Sequence, residues 1–358
     1  EETHGHGRAE HIERTSPNVM VMQNATYSTC PPEQNPTWKL QANQIEINQD
    51  TGRGVTKGTK FYIKNTPVLA VPYFNFPIDD RRTTGLLTPS FGFTNDGGLE
   101  LAAPVYLNLA PNYDATVTPR YIGNRGLMAE GEFRYLTENF GGGRIWGGYL
   151  PSDKDYNDED RKDLHYLHNW KIDDQWSTNL EYNYVSDKDF FTDLDNDPNT
   201  RTELNQRRAW QLNYGNGIPG LRAQLRVEDF QTIDPDLADI DRPYARLPQL
   251  LVNYTKGDVQ GLEFEFNNDT AYFKKNIRDF ENQAEPNGTR IFNEMALRYN
   301  LKQPWGFVVP EVSVRSLNNF YDQDTVENTN FRSNSEDKSV VVPQFTLDTG
   351  LTFEREGK

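Results

Sequence analysis

Apolar and polar residues alternate with a period of two along most of this chain, and the alternating segments are separated by Gly, Pro, Asn and Asp. In residues 221–228, LRAQLRVE, the alternation puts four apolar residues on one face of a strand and four polar or charged residues on the other. Residues 262–267 and 341–347 follow the same pattern. The chain is therefore predicted to be all-β, although the strands of a soluble sandwich would alternate in the same way.

The connections between these segments carry more information than the alternation does. From about residue 84 onward, short turns and long loops follow each other strictly. Outer-membrane β-barrels have this polarity, with short periplasmic turns at one end and long extracellular loops at the other. The segments between connections are long enough to cross a bilayer as tilted strands. The short turns lie at residues 110–112, 141–143, 173–175, 215–220, 257–261 and 302–306, and the main long loops at 151–163, 187–206, 231–247, 274–289 and 321–338.

Composition argues against several other classes of protein. The mean hydropathy is -0.82 and no apolar run approaches the length of about 20 residues that a membrane-spanning helix needs. Aromatic residues make up 12% of the chain, which is too many for a disordered protein. The net charge is -16, so nucleic acid is not expected as a partner, because a phosphate backbone is bound by clustered Lys and Arg.

Residues 1–80 differ from residues 81–358 because their predicted strands are shorter and no long loops separate them. We expect a separate small β domain there, with strands near residues 18–22, 38–42, 45–47 and 61–63. Its apolar residues form an ordinary core or line a groove for an acyl chain, and spacing alone favours the core. The candidate lining residues are Val19, Val21, Trp38, Leu40, Ile45, Ile47, Phe61 and Ile63.

The junction between the two regions carries the most specific sequence, TPVLAVPYFNFPIDDRRTTGLLTP at residues 66–89. It closely resembles the junction in the LptD family of lipopolysaccharide-assembly proteins. Further matches occur in the same order along the chain, so the resemblance spans at least residues 30–195. They are LAPN at 109–112, DATVTP at 114–119, EFRYL at 132–136, YLPSD at 149–153 and YVSD at 184–187.

The resemblance implies a periplasmic β-jelly roll joined to a very large transmembrane barrel in the outer membrane of a Gram-negative bacterium. In the family the jelly roll receives lipopolysaccharide from the periplasmic bridge protein LptA, and the lipoprotein LptE plugs the barrel. The family barrel has about 26 strands, whereas about fourteen can be counted here from Gly85 onward. This chain would therefore supply the C-terminal part of the jelly roll (1–80) and roughly the first half of the barrel (81–358).

Pro89 and Pro104 lie within the first and second predicted barrel strands, where proline cannot donate a hydrogen bond to the ladder. They are either tolerated bends or a weakness at the first strand, which must pair with the last one in a closed barrel. The resemblance implies the second reading, because the family's lateral gate lies at this seam. Acyl chains would pass through the gate into membrane lipid while sugars cross a polar lumen lined by residues such as Arg222, Arg226 and Glu228.

Cys30 is the single cysteine, so it is a free thiol or pairs with a cysteine outside this chain. The resemblance implies a long-range disulfide to the far C-terminal region, which an oxidising periplasm permits. Transport breaks no bond, so we expect no catalytic group and no cofactor. We also expect no metal, because the loose cluster of His4, His6 and His11 lacks zinc spacing and Pro198 replaces the glycine of a calcium loop begun by Asp193.

Two other functions remain open from the residues alone. One is an outer-membrane porin or ligand-gated receptor, which would conduct ions steadily and need no lipid-binding domain at its N-terminus. The other is a soluble β protein that binds carbohydrate through its aromatic residues, which would be extracted without detergent.

Overall fold

The structure is a computed structural model that describes residues 6–28, 37–63, 65–79, 81–87, 89–94, 97–194, 205–234, 236–238, 241–275, 287–322 and 337–353. The prediction of an all-β chain is confirmed, because strands account for most of these residues and the described part contains one short helix. No helix in these ranges has both the length and the apolar character required to cross a membrane. The chain divides into two compact units, Glu1–Tyr135 with Gly148–Asp160 and Leu136–Gly147 with Arg161–Lys358.

The first sheet is antiparallel, and its strands are longer than the sequence predicts. Strands β3 to β6 pair in chain order, while β1 and β2 pair with successive parts of β3. The four main strands each have 10 to 12 residues. The strands are β1 (His6–Arg8), β2 (His11–Ser16), β3 (Val19–Ser28), β4 (Trp38–Asn48), β5 (Arg53–Ile63) and β6 (Thr66–Pro77).

An irregularity at Asn43 explains why two predicted strands form the single strand β4. Residues 38–42 and 45–47 both belong to β4, and Ala42 and Ile45 are buried together although residues three apart in a regular strand face opposite sides. Asn43 between them has no ladder partner in β3 or β5. It lies beside Gly58, which has a φ of +60°, in the next strand. The irregular residue changes the phase of the alternation, so the sequence pattern predicts two short strands where the structure has one.

Replacing Gly58 by valine should destabilise this sheet by about 1–3 kcal/mol, because its φ is in the left-handed region and a Cβ would lie 2.4 Å from Asn43 Nδ2. Urea titration of the full-length protein, followed by brief proteolysis of the first sheet, measures the loss. Gly92→Ala is the matched control, because nothing lies within 4 Å of its added Cβ. Equal midpoints for the two variants would contradict the strained role of Gly58.

A second set of strands begins at Gly85 and is interrupted at both predicted prolines. The segments β7 and β8 are separated at Pro89, and β9 and β10 at Pro104. β7 pairs with β10, β8 with β9, and β11 pairs with β9, β10 and β12. The strands are β7 (Gly85–Leu86), β8 (Ser90–Thr94), β9 (Gly98–Ala102), β10 (Val105–Ala110), β11 (Tyr113–Ile122) and β12 (Gly126–Leu136).

The remaining strands include a long antiparallel meander in the second unit. Strands β14 to β20 pair in chain order, and β22 pairs with β20, β21 and β23. All three clearest predicted strands lie in this meander and are confirmed. The elements are β13 (Gly142–Asp153), β14 (Glu159–Lys171), β15 (Trp176–Val185), α1 (Phe190–Leu194), β16 (Asn205–Tyr214), β17 (Leu221–Thr232), β18 (Ala245–Val259), β19 (Leu262–Lys274), β20 (Gly288–Tyr299), β21 (Leu301–Gln303), β22 (Gly306–Tyr321) and β23 (Lys338–Leu351).

One predicted long loop, at residues 151–163, is wrong. β13 ends at Asp153 and β14 begins at Glu159, so a five-residue turn replaces the loop. The carboxylate of Asp153 accepts a hydrogen bond from the Asp155 amide at 3.0 Å, and its carbonyl accepts bonds from Tyr156 and Asp158. Asn157 and Asp158 take positive φ values, which Asn and Asp tolerate. Acidic residues that suggested a solvated loop therefore build a tight turn.

Candidate functional site

The apolar cluster of the first sheet contains five of the eight predicted lining residues. Leu40 and Ile45 are buried with Ala25 and Ala42. Trp38, Ile47 and Phe61 are partly buried against that core, as are Ala9, Met22 and Phe76. Half-buried side chains at the margin of a small core leave apolar surface that a lipid chain could contact. The side chain of Ile63, another of the eight candidates, lies outside the described residues.

Val19 and Val21 do not share the face of this cluster. In the register between β3 and β4, Val21 pairs with Glu46, while Met22 pairs with Ile45. Paired residues of neighbouring strands project to the same side of a sheet. By this register Met20 and Met22, and not the two valines, lie on the same face as Ile47 and Ile45. The bend at Asn43 shifts the alternation, which simple period-two counting misses.

The two predicted gate prolines lie at one break in the ladder between the first and second strands of the second set. Ser90 pairs with Ala102, whereas Leu86 pairs with Val105. The ladder is therefore interrupted between these two pairs of residues. The Pro104 carbonyl accepts a hydrogen bond from the Leu87 amide at 2.8 Å. Because the amide and carbonyl of one residue point to the same side, the donor that Pro104 lacks would have faced the first strand.

The meander of the second unit has an apolar face that is exposed. Phe264, Leu297, Val312 and Phe345 stand opposite one another across β19, β20, β22 and β23. Phe345 is 66% exposed and Val312 is 54% exposed. A soluble monomer rarely exposes a continuous apolar surface of more than a few hundred Å². An exposed apolar row of this kind is typical of a surface that contacts lipid or another protein segment.

The opposite face carries charges that are paired with one another. Arg298 donates to Glu263 at 2.9 Å and to Glu311 at 2.9 Å, immediately beside the apolar row. Amides continue the pattern across β14 to β17, where Asn179 donates to Asn169, Asn213 donates to Asn179, and Gln224 donates to Asn213. Many polar side chains of this face are thus hydrogen-bonded to one another.

All three predicted lumen residues lie on this polar face. The Glu228 side chain is only 3% exposed, and it accepts hydrogen bonds from Arg207 and Arg246. Arg226 donates to Gln224 at 2.8 Å. Arg222 lines a cavity of about 900 Å³ together with amide side chains that include Asn213, Gln224, Asn253 and Asn267. This cavity offers many donors and acceptors to a polar ligand.

Sequence reasoning missed one buried ionic group on β14. Arg161 is fully buried, and its guanidinium binds the carboxylates of Asp187 at 2.7 and 3.0 Å and of Asp193 at 2.7 Å. These bonds hold α1, which also buries Phe190, Phe191 and Leu194. The two phenylalanines within an acidic segment were the available signal, because large apolar side chains are seldom placed in a fully solvated loop.

Two earlier candidates receive no structural description. Cys30 of the expected disulfide lies outside the described residues, and so do His4 of the histidine cluster and Pro198 of the calcium-loop pattern. Within the described ranges, no group of three or more His, Cys, Asp or Glu side chains is placed to hold a metal ion.

Exposed apolar rows on one side and paired polar groups on the other are typical of antiparallel β-proteins that are embedded in membranes. The family model for LPS transport system D, LptD, matches residues 159–358. The chain is 68% identical over its full length to the LPS-assembly protein LptD of Acinetobacter baumannii and 66% identical to that of Acinetobacter baylyi, covering 44% of each. It is 40% identical to the protein of the same name from Psychrobacter cryohalolentis, with 99% of the chain covering 36% of that protein.

The chain belongs to the LptD family. It spans less than half the length of these curated relatives. The relatives' names describe LPS assembly and the family description LPS transport, and neither describes an enzymatic reaction, in agreement with the prediction that the chain is not an enzyme.

Proposed function

We propose that the chain is part of an outer-membrane translocon that inserts lipopolysaccharide into the outer leaflet of a Gram-negative bacterium. The observation that carries this proposal is a sheet with two different faces. One face has exposed apolar rows such as Leu297, Val312 and Phe345, and the other has paired charges such as Arg298 with Glu263. A sheet of this kind is stable when lipid covers one face and a polar lumen lies on the other. Residues 81–358 would form the first part of that barrel.

The two halves of lipopolysaccharide need different routes, because acyl chains avoid water and the glycan avoids hydrocarbon. Acyl chains would contact the margin of the first sheet at Trp38, Ile47 and Phe61, within a periplasmic jelly roll over residues 1–80. They would then leave through a lateral gate at Pro89 and Pro104. The glycan would pass along the polar face at Arg222, Arg226 and Glu228.

The membership of the family supports three further parts of the proposal. LptA would deliver lipopolysaccharide to the first sheet, and LptE would plug the completed barrel. Cys30 would pair with a cysteine outside this chain and hold the jelly roll to the barrel. Cys30 is the single cysteine of this chain, so it can form no disulfide within the chain.

Ultraviolet cross-linking in intact cells tests the route, with a photoreactive residue placed at Ile47 or Phe61 of the full-length protein. Both side chains are half-buried, so replacement disturbs the core less than at Leu40 or Ile45. We expect a lipopolysaccharide adduct at both positions. Val21 is the matched control, because it lies in the same sheet but projects from the opposite face. No adduct should form there.

The alternative is an outer-membrane porin or ligand-gated receptor, whose sheet would also have one apolar and one polar face. That reading predicts no adduct at Ile47 or Phe61 when the protein is expressed normally, together with steady ion conductance in planar bilayers. Adducts of equal yield at Ile47, Phe61 and Val21 would indicate non-specific contact and would also contradict the proposed route.

A further inference from the structure

Two consecutive arginines, Arg81 and Arg82, lie in the segment that joins the first sheet to β7. The Arg81 guanidinium donates to the carbonyls of Gln49 at 2.7 Å and Asp50 at 2.8 Å, in the turn between β4 and β5. It also binds Asp79, whose pKa it holds below the usual value through this hydrogen bond. Arg81 therefore fastens the joining segment to the first sheet.

Arg82 fastens the same segment to the second set of strands. Its Nε donates to the Tyr106 hydroxyl at 2.8 Å and its Nη1 to the Pro111 carbonyl at 3.1 Å. Its Nη2 binds the carboxylate of Asp114, which is 4% exposed. These three partners lie on β10, β11 and the short turn between them.

The backbone around Arg82 is held at the same place. Asn108 Nδ2 donates to the Arg82 carbonyl at 2.7 Å, and the Asn108 amide donates to Thr84 Oγ1 at 2.9 Å. On the other side, the Ile78 amide donates to the Gly52 carbonyl at 3.0 Å. Gly52 is required here, because its φ is +66° and a Cβ would lie 2.6 Å from the Arg81 guanidinium.

Together these contacts set the last strand of the first sheet beside the first strand of the second set. A Cβ built on Gly85 in β7 would lie 3.2 Å from the Asn75 carbonyl of β6. Phe74 and Phe76, the neighbours of Asn75, stack on one another, and Phe76 packs on the apolar cluster. The apolar margin of the first sheet is thereby brought to the beginning of the strand that Pro89 interrupts.

We propose that Arg81 and Arg82 form a clasp, with Arg82 as the positioning residue that aligns the apolar margin of the first sheet with the first strand of the second set. The clasp acts on the transfer of acyl chains between them, so this inference rests on the proposed function. A planar guanidinium suits the role, because it binds three acceptors in a fixed geometry that an ammonium group cannot reproduce.

The test uses the full-length protein in cells, with photoreactive residues at Phe61 in the first sheet and, separately, at Phe93 in β8, which is 80% exposed. The measured quantity is the yield of lipopolysaccharide adduct at Phe93 divided by the yield at Phe61. Arg82→Ala should lower this ratio at least about fivefold while the amount of folded protein, judged by heat-modifiable mobility, is unchanged. Arg82→Lys should give an intermediate ratio, because it keeps the charge and loses the fork.

Arg134→Ala is the matched control. Arg134 binds the same Asp114 carboxylate at 2.8 and 2.9 Å but makes no described contact with the joining segment. Its ratio should equal that of the unmodified protein. An unchanged ratio in Arg82→Ala, or an equal fall in Arg134→Ala, overturns the clasp. Absence of both adducts in the unmodified protein would instead overturn the proposed function.

Discussion

Arg161→Ala is expected to release α1 from β14 and to raise its rate of chymotryptic cleavage at Phe190 and Phe191 by about a hundredfold. The substitution leaves the Asp187 and Asp193 carboxylates without their shared guanidinium. Removing one partner of a buried ion pair costs about 3–5 kcal/mol, and the lower end applies because both carboxylates keep some access to solvent. About 3 kcal/mol corresponds to roughly two powers of ten in a local opening equilibrium.

Limited proteolysis of the full-length protein in detergent measures this rate, since Phe190 and Phe191 are buried before opening. Arg161→Lys should be intermediate, because one ammonium cannot bind two carboxylates as the guanidinium does. Lys171→Ala is the control, because its ion pair with Asp174 is exposed and contributes little. A rate for Arg161→Ala within twofold of the control would show that the buried pair does not hold the helix.

Pro104→Val is expected to reduce lipopolysaccharide delivery to the cell surface about fivefold, and the double variant with Pro89→Val further still. Valine restores an amide on the side that faces the first strand and has a high preference for strands. A backbone hydrogen bond contributes about 1 kcal/mol, which is a factor of about five in an opening equilibrium. A gate that opens less often would pass less lipid.

Surface lipopolysaccharide and the adduct at Phe93 measure the effect. Pro119→Val is the matched control, because Pro119 also lacks an amide donor and its carbonyl accepts a hydrogen bond from the Ala103 amide, but it lies within the uninterrupted strand β11. It should leave delivery unchanged. Equal delivery by the Pro104 and Pro119 variants would assign these prolines to strand bending and not to a gate.

Much of this chain could be predicted locally. The turns at 173–175 and 215–220 could be predicted because their conformation depends on residues that are adjacent in sequence. Alternation within β17 fixes which of its side chains share a face. Arg222, Arg226 and Glu228 were therefore found together from spacing alone. One failure occurs where the period is broken, at Asn43, which separated β4 into two predicted strands. Another occurs at 151–163, where acidic residues build a tight turn in place of the predicted loop.

The sequence by itself determined the all-β class, the alternation of faces and the positions of the prolines, because these depend on side-chain order and on the missing amide of proline. Tertiary structure decided which distant groups meet. Arg82 reaches Asp114 and Arg161 reaches Asp193, each 32 residues away. Such pairs depend on register and on how loops return to the sheet. Many sequences with the same alternation and charge would pair differently, so only the folded chain selects these partners.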